Sequence, residues 1–338
     1  MQARKTKVAV EGQKFKINGE YTYKGRVWNG IDIEGLLFNT RMVQGIFDDK
    51  NPETISKWAY PDTGRWDPER NTREFIKAMP SWREKGVLAF NINLQGGSPE
   101  GYSKEQPWHN SAFLEDGTLD ENYMARLEKI LDRADELGMV AILGYFYQAQ
   151  DQRIKDELRV RRAVFEATYW ILERQYQNVL IEINNECNHR FTHKILKTDR
   201  VHKMFRLVRE ISDHELLVSA SFGGGRVPSD NVIAEADYLL LHGNGVDDPD
   251  RIEEMVKETR ANPHYQDQPI VFNEDDHFDF DQEKYNMLMA IKNGASWGFF
   301  APGKNNYRDG YQSVPVNWEI NTPTKKAFFN KVDETVNG

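Results

Sequence analysis

Residues 178–186 read Asn178-Val179-Leu180-Ile181-Glu182-Ile183-Asn184-Asn185-Glu186, a mostly apolar run that ends in an amide and a carboxylate. A run of this kind suits a strand covered on both faces, as in a parallel sheet. The pattern returns at Pro269-Ile270-Val271-Phe272-Asn273-Glu274. Working outward from these two, further strand-like runs stand at 34–38, 87–94, 139–147, 216–221, 238–241 and 296–300, which makes eight in all.

Helical patterns fill the intervals. Asn71 with Glu74 reads as a capping box ahead of Phe75, Met79 and Trp82, with a kink expected at Pro80. Asp120 caps a stripe of Met124, Leu127, Ile130, Leu131, Ala134 and Leu137 that Gly138 stops. Similar stripes are Val201, Phe205, Val208 and Ile211, then Ile252, Met255 and Val256, then Tyr285, Leu288, Met289 and Ile291. Strand and helix in alternation predict a parallel α/β fold, and eight units predict closure into a (β/α)8 TIM barrel. The alternative is an open doubly wound sheet. It finds no phosphate loop or GxGxxG fingerprint, since Gly223-Gly224-Gly225 lacks the spacing.

Ahead of the barrel, Phe15-Lys16-Ile17 alternates into Asn18-Gly19, the type I′ hairpin dipeptide, and on to Tyr21-Thr22-Tyr23. Residues 1–28 are therefore expected to form an N-terminal β-hairpin cap. With no repeat, low-complexity tract or linker to divide it, 1–338 reads as one catalytic (β/α)8 domain.

The 338 residues carry 53 acidic and 44 basic side chains, a net charge of -9. That balance argues against a nucleic-acid or anionic-membrane partner, both of which call for a basic surface. A mean hydropathy of -0.72 is low, but eight Trp, fourteen Tyr and eighteen Phe are more than a disordered chain would hold. Cys187 is the only cysteine, so neither an intramolecular disulfide nor a thiolate cluster is expected. The basic start, residues 1–7, leads into Val8-Ala9-Val10-Glu11, too short and polar for a signal peptide, and no apolar run of about eighteen residues spans a bilayer. As written the chain reads as cytoplasmic, or as periplasmic or secreted if a signal peptide has been removed.

Two long βα loops, 95–120 and 301–322, fall on the C-terminal face of the expected barrel, where active sites sit. They hold Tyr102, Trp108 and His109, and Tyr307, Arg308, Tyr311 and Trp318. Flat aromatic faces stack on the C–H faces of sugar rings; the other reading is that these rings pack the loops.

A glutamate at the C-terminal end of a strand, as Glu186 and Glu274 are, can reach a ligand in the barrel mouth. Closure brings the fourth and seventh strand ends together. Glycoside hydrolysis requires such a carboxylate pair; a buried carboxylate paired with arginine is the plainer reading of either one.

On Asn185-Glu186 after strand four, Glu274 after strand seven and Trp297 in Ser296-Trp297-Gly298-Phe299-Phe300, the chain resembles the clan A glycoside hydrolases, the superfamily of the family 5 cellulases and mannanases. The resemblance implies a retaining enzyme on an oligosaccharide, polysaccharide or glycoside, with Glu186 as acid/base and Glu274 as nucleophile. It further implies that Asn185 contacts the sugar 2-hydroxyl and that Trp297 lies under the sugar. His242 is similar to the first member of the family 5 His-x-Tyr pair, with Asn244 where the Tyr would stand. Neither metal nor organic cofactor is implied. One carboxyl, expected to be Glu186, should have a raised pKa and stay protonated as the acid.

Arg41, after the first strand, can bind a substrate oxygen, orient Glu274, or be a solvated loop residue. Asn91, Asn93 and Gln95 share one side of strand two, and Tyr145 and Tyr147 end strand three; each can face the lumen or the outer layer. His189 and His193 have a helical metal spacing, but Arg190 stands where HExxH has Glu. Asp275, Asp276 and His277 read as a hydrogen-bonded wall rather than a cation site. Two other functions compete: a metal-dependent barrel isomerase or hydrolase of a small metabolite, and a sugar-binding protein without catalysis.

Overall fold

The computed structural model describes residues 4–101, 105–300, 307 and 309–338. Five short strands come first: β1 (Val8–Glu11), β2 (Lys14–Ile17), β3 (Glu20–Tyr21), β4 (Val27–Trp28) and β5 (Ile31–Asp32). Eight strand-and-helix units follow. Their strands are β6 (Asn39–Arg41), β7 (Ala89–Asn93), β8 (Val140–Phe146), β9 (Val179–Asn184), β10 (Leu217–Ser219), β11 (Leu239–His242), β12 (Ile270–Glu274) and β13 (Gly298–Phe299). The helix after each is, in order, α1 (Pro68–Glu84), α2 (Glu121–Leu137), α3 (Glu157–Glu173), α4 (His202–Ser212), α5 (Asp230–Glu235), α6 (Pro249–Ala261), α7 (Asn286–Lys292) and α8 (Pro323–Asn337).

Six strands form one sheet in the order β10-β9-β8-β7-β6-β13, and β11 pairs with β12; these pairings are all parallel. Two seams complete the ring. Val271 and Ser296 bridge the seventh unit to the eighth, and Asp237 N donates to Val218 O at 3.0 Å between the fifth and sixth. The fold is a (β/α)8 barrel.

Alternation divides each strand between two apolar layers. In β8, Ala141, Leu143 and Tyr145 join the outer cluster under the helices, while Val140 and Ile142 join the inner one with Phe15, Leu37, Leu180, Leu240 and Val271. Higher in the lumen the lining turns polar, with Asn39, Asn91, Asn93, Glu182, Asn184 and Asn273 buried. Space is tight enough that a Cβ on Gly298 would lie 1.9 Å from Asn39 Oδ1. The lumen is thus a packed core rather than a pore.

Asn18 and Gly19 both take positive φ, 54° and 83°, and turn β2 into β3 as an Asn-Gly hairpin does. Val8 N donates to Gln177 O just before β9, which sets this small sheet at the N-terminal end of the barrel.

Two local expectations shift. The first barrel strand is Asn39–Arg41 rather than 34–38, because Leu36 and Phe38 belong to the outer cluster and Leu37 to the inner one below the paired segment. Helix α1 is capped by Asp67, whose side chain accepts from Arg70 N, with Pro68 at its first position. Asn71 is instead buried, donating to Gln44 O and Gly45 O, and the helix runs past Pro80 to Glu84. Asp120 and Gly138 cap α2 as the pattern predicts.

Candidate active site

Strand β9 delivers Glu186 through a tight turn. Glu186 has φ of 53°, in the left-handed region that costs a side-chain-bearing residue about 1 kcal/mol or more. Hydrogen bonds hold it there: Glu186 N donates to Ser221 Oγ (2.9 Å), Cys187 N to Ser221 O (2.9 Å) and Asn185 N to Phe146 O (3.1 Å). Glu274 arrives differently. Leu241 pairs with Phe272 but His242 pairs with Glu274, so the register slips by one residue and sets Glu274 beside His242.

One carboxylate oxygen from each glutamate and one His242 ring nitrogen all lie within 4.8 Å of one another. His242 Nδ1 is 3.2 Å from Glu186 Oε1 and 3.5 Å from Glu274 Oε2. Arg41 is buried and reaches across the barrel mouth, its Nε 2.8 Å from Glu274 Oε2 and its Nη2 donating to Asn185 Oδ1 at 2.8 Å. Gln148 Nε2 donates to Glu186 Oε2 at 3.2 Å, and His189 Nε2 lies 3.8 Å from the same oxygen.

The partners differ in kind. Arg41 is a permanent cation, because a guanidinium does not deprotonate in proteins, whereas His242 can gain and lose a proton. Burial lowers the His242 pKa, but the Glu274 charge and the Glu186 hydrogen bond outweigh it and raise the imidazole above its ordinary value. Burial raises Glu186, yet the His242 hydrogen bond and the His242, His189 and Arg41 charges pull it below the ordinary carboxylate value. At Glu274 burial prevails, and with the Glu186 and Glu182 charges it keeps that carboxyl raised against Arg41 and His242. These directions reverse the expectation that Glu186 is the raised carboxyl. The reason is His242, whose Nδ1 sits closer to Glu186 than to Glu274.

Below this trio lies Glu182, fully buried on the lumen face of β9. It accepts from Ser221 Oγ, the group that receives the Glu186 N–H, and from Asn273 Nδ2 at 3.4 Å. One carboxylate thus ties together the segments that carry both glutamates. A glutamate in the middle of an apolar strand was its signal in the sequence.

The glutamates open into a cavity of ≈ 490 Å³ whose wall includes Arg41, Tyr147, Asn244 and Phe300. Asn188, His189, Arg190, Gly223, Gly224 and Arg226 complete the side nearest Glu186. Phe300 stands two positions beyond Gly298, so alternation would have pointed to it. A Cβ on Gly224 would sit 2.0 Å from Asn244 O, which explains the glycines there: the loop after β10 lies flush against the exit of β11.

Other candidates lie elsewhere. Trp297 is not under the cavity: it alternates outward, packs on Phe280, Phe299 and Phe328, and donates from Nε1 to Asp275 Oδ2 at 2.9 Å. Trp297→Ala is therefore expected to lower stability by about 3 to 5 kcal/mol, measured by denaturant unfolding, with the KM of the folded fraction unchanged. Tyr145 also faces outward, 3.2 Å from Thr168 Oγ1, whereas Tyr147, just past the strand end, lines the cavity. Trp108 is buried against Trp58 in a separate cluster. His109 borders a different hollow with Lys50 and Arg153. Tyr307 bonds Arg70 and Glu74, and Tyr311 stacks on Trp318, so these loop rings pack loops. Tyr102 and Arg308 lie outside the described residues. Asn91, Asn93 and Gln95 are buried, and Gln95 accepts from Tyr147 N at 3.2 Å.

Among the described residues, two groups of side chains have the spacing to hold a cation: Glu186, His242 and Glu274, and Asp275, Asp276 and His277. In the first, the Arg41 charge at Glu274 opposes a second cation. In the second, Asp275 is occupied by His277 Nδ1 (2.8 Å), Trp297 Nε1 and Asn286 Nδ2, which fits a hydrogen-bonded wall. His189 and His193 diverge, since His193 Nε2 contacts Ile154 O at 2.9 Å.

No protein-family model and no curated protein matches this chain. Solved structures do. A glycoside hydrolase family 5 mannosidase from Rhizomucor miehei superposes with a TM-score of 0.59 at 13% identity, covering 98% of this chain and 97% of its own. An endo-1,4-beta-mannanase from the same organism gives 0.58 at 11%, covering 98% and 99%. A broad specificity endoglucanase from Clostridum cellulovorans gives 0.55 at 12%, covering 88% and 94%. At such identities the likeness is one of fold.

Proposed function

We propose that this protein is a retaining glycoside hydrolase acting on a β-linked oligosaccharide, polysaccharide or glycoside, with Glu274 as nucleophile and Glu186 as acid/base. The observation that carries the proposal is the pair itself: two carboxylates within 4.8 Å at the ends of the fourth and seventh barrel strands, one on a permanent cation and one on a titratable imidazole. Retaining glycosidases hold their carboxyls close enough for direct attack, whereas inverting ones leave room for a water. The family 5 fold of the superposed structures supports the same reading.

The partners separate the roles. Glu274, on Arg41, can remain an anion and attack the anomeric carbon as the glycosidic C–O bond breaks. Glu186 receives the proton that His242 holds 3.2 Å away and passes it to the leaving oxygen. The sugar is then an ester of Glu274 and that negative charge is gone, so Glu186 becomes the stronger acid and rests as a carboxylate. In the second step water attacks the anomeric carbon, its proton goes to Glu186, and the ester C–O bond to Glu274 breaks. Neither step calls for a metal or an organic cofactor.

The test is a panel of aryl α- and β-glycosides, with the product followed by proton NMR. The expected result is hydrolysis of a β-glycoside whose first-formed sugar is the β anomer. Appearance of the α anomer first would mean inversion, and no turnover of any sugar would sink the proposal.

A further inference from the structure

Val218, Ala220 and Phe222 join the outer cluster, so Ser219 and Ser221 between them face the lumen. Ser221 is fully buried, and each of its polar atoms is spent on the exit of β9. Its N–H donates to Asn184 O (3.3 Å) and its carbonyl accepts from Cys187 N (2.9 Å). Its Oγ accepts from Glu186 N (2.9 Å) and donates to Glu182. The directions follow from the groups themselves. A backbone N–H can only donate, so Oγ must accept from Glu186, and its own hydrogen is left for Glu182, a carboxylate that only accepts.

Glu186 needs such a hold because its backbone takes the left-handed conformation, with φ of 53°. A strained residue keeps that conformation only where its surroundings over-determine it. The turn in its place sets Glu186 Oε1 3.2 Å from His242 Nδ1 and brings Gln148 Nε2 within 3.2 Å of Oε2. Glu182 braces the opposite segment as well, since Asn273 Nδ2, one residue before Glu274, donates to it at 3.4 Å. Ser221 and Glu182 are both fully buried and stand outside the cavity wall, so neither meets a substrate. What they touch is the backbone that aims the acid/base.

We propose that Ser221, its hydroxyl aimed by Glu182, is a positioning residue that locks Glu186 in the orientation from which it meets both His242 and the leaving oxygen. The proposal rests on the glycosidase reading for the leaving oxygen, whereas the lock on His242 is independent of it, and the test keeps the two apart.

The test is Ser221→Ala, checked for folding by circular dichroism. Should it not fold, Ser221→Cys, close in shape but a weak donor and acceptor, carries the same expectations. The first readout is kcat/KM, which reports formation of the glycosyl-enzyme. For an alkyl glycoside or oligosaccharide, which needs the Glu186 proton, it should fall by about 10²-fold; for a glycoside of an acidic phenol, which needs none, it should stay within about threefold of wild type. A merely structural lesion would lower both alike. The second readout is the His242 ring, titrated by nitrogen NMR and assigned with His242→Asn. Burial lowers that imidazole, while the Glu274 charge and the Glu186 hydrogen bond raise it above its ordinary value. Releasing Glu186 removes part of the rise, so His242 should titrate at lower pH in the variant than in the wild type. Equal effects on the two substrates, or a His242 titration that does not move, would overturn the proposal. A wild type that hydrolyses no glycoside would sink the hydrolase and leave the His242 titration to decide the lock.

Discussion

Glu274→Ala is expected to abolish turnover of every glycoside by on the order of 10⁴-fold or more, whatever the leaving group. On the proposed mechanism the substitution removes the oxygen that attacks the anomeric carbon; Arg41 has no lone pair to offer in its place, and Glu186 stands on the other side of the bond. It also leaves the Arg41 cation buried without its 2.8 Å partner, so some loss of stability should accompany the loss of activity. Added azide separates the two effects. A small anion can enter the vacated space beside Arg41 and attack an activated β-glycoside from that face, giving the α-glycosyl azide. Recovery of turnover with that anomer means that the fold is intact and that Glu274 was the nucleophile. A variant that keeps more than about a hundredth of wild-type kcat/KM would remove Glu274 from the mechanism.

The parts of this site that were legible in the sequence are those fixed by strand period and strand end. Glu186 and Glu274 each follow an apolar strand, and barrel closure then brings the fourth and seventh units to one mouth. Arg41 follows the first strand in the same way. Alternation alone failed where a strand stopped early. Tyr145 and Tyr147 are two apart, yet β8 ends at Phe146, so the first stays in the outer layer and the second turns to the cavity. Trp297 was misread because a pattern borrowed from a resemblance was set above the period. Gly298 faces the lumen, so its neighbour Trp297 faces the helices and the lumen residue at the strand exit is Phe300. The aromatic loops were beyond reach for another reason. Whether Trp108, Tyr311 and Trp318 meet a ligand or each other depends on how two long loops fold over the barrel, and no local period records that. The reversed electrostatics could not have been read either, since they follow from His242 standing 3.2 Å from one carboxylate and 3.5 Å from the other.

Glu186→Ala should behave differently from Glu274→Ala because, on the proposed mechanism, Glu186 acts twice without bonding to the sugar. An alkyl leaving group needs its proton, so hydrolysis of alkyl and oligosaccharide substrates should fall by about 10²- to 10⁴-fold. A glycoside of an acidic phenol does not need it, so its first step should survive and the Glu274 ester should accumulate, visible as a burst of phenol. Azide needs no general base and should restore turnover, this time with retention, giving the β-glycosyl azide from a β-glycoside. The pH profile adds a second reading of the same residue. On the proposed mechanism the acid draws its proton from His242, whose pKa is raised, so activity should be lost as pH climbs through a value above the ordinary imidazole value. Below that value the proton is present and the first step runs. Glu186→Ala acting on the acidic phenol glycoside uses no such proton, and its burst rate should lack the alkaline limb. Exchanged azide anomers would mean that the two glutamates have been assigned the wrong way round, identical anomers that they do not divide the two roles, and an alkaline limb that persists in the Glu186→Ala burst that the limb belongs to another group.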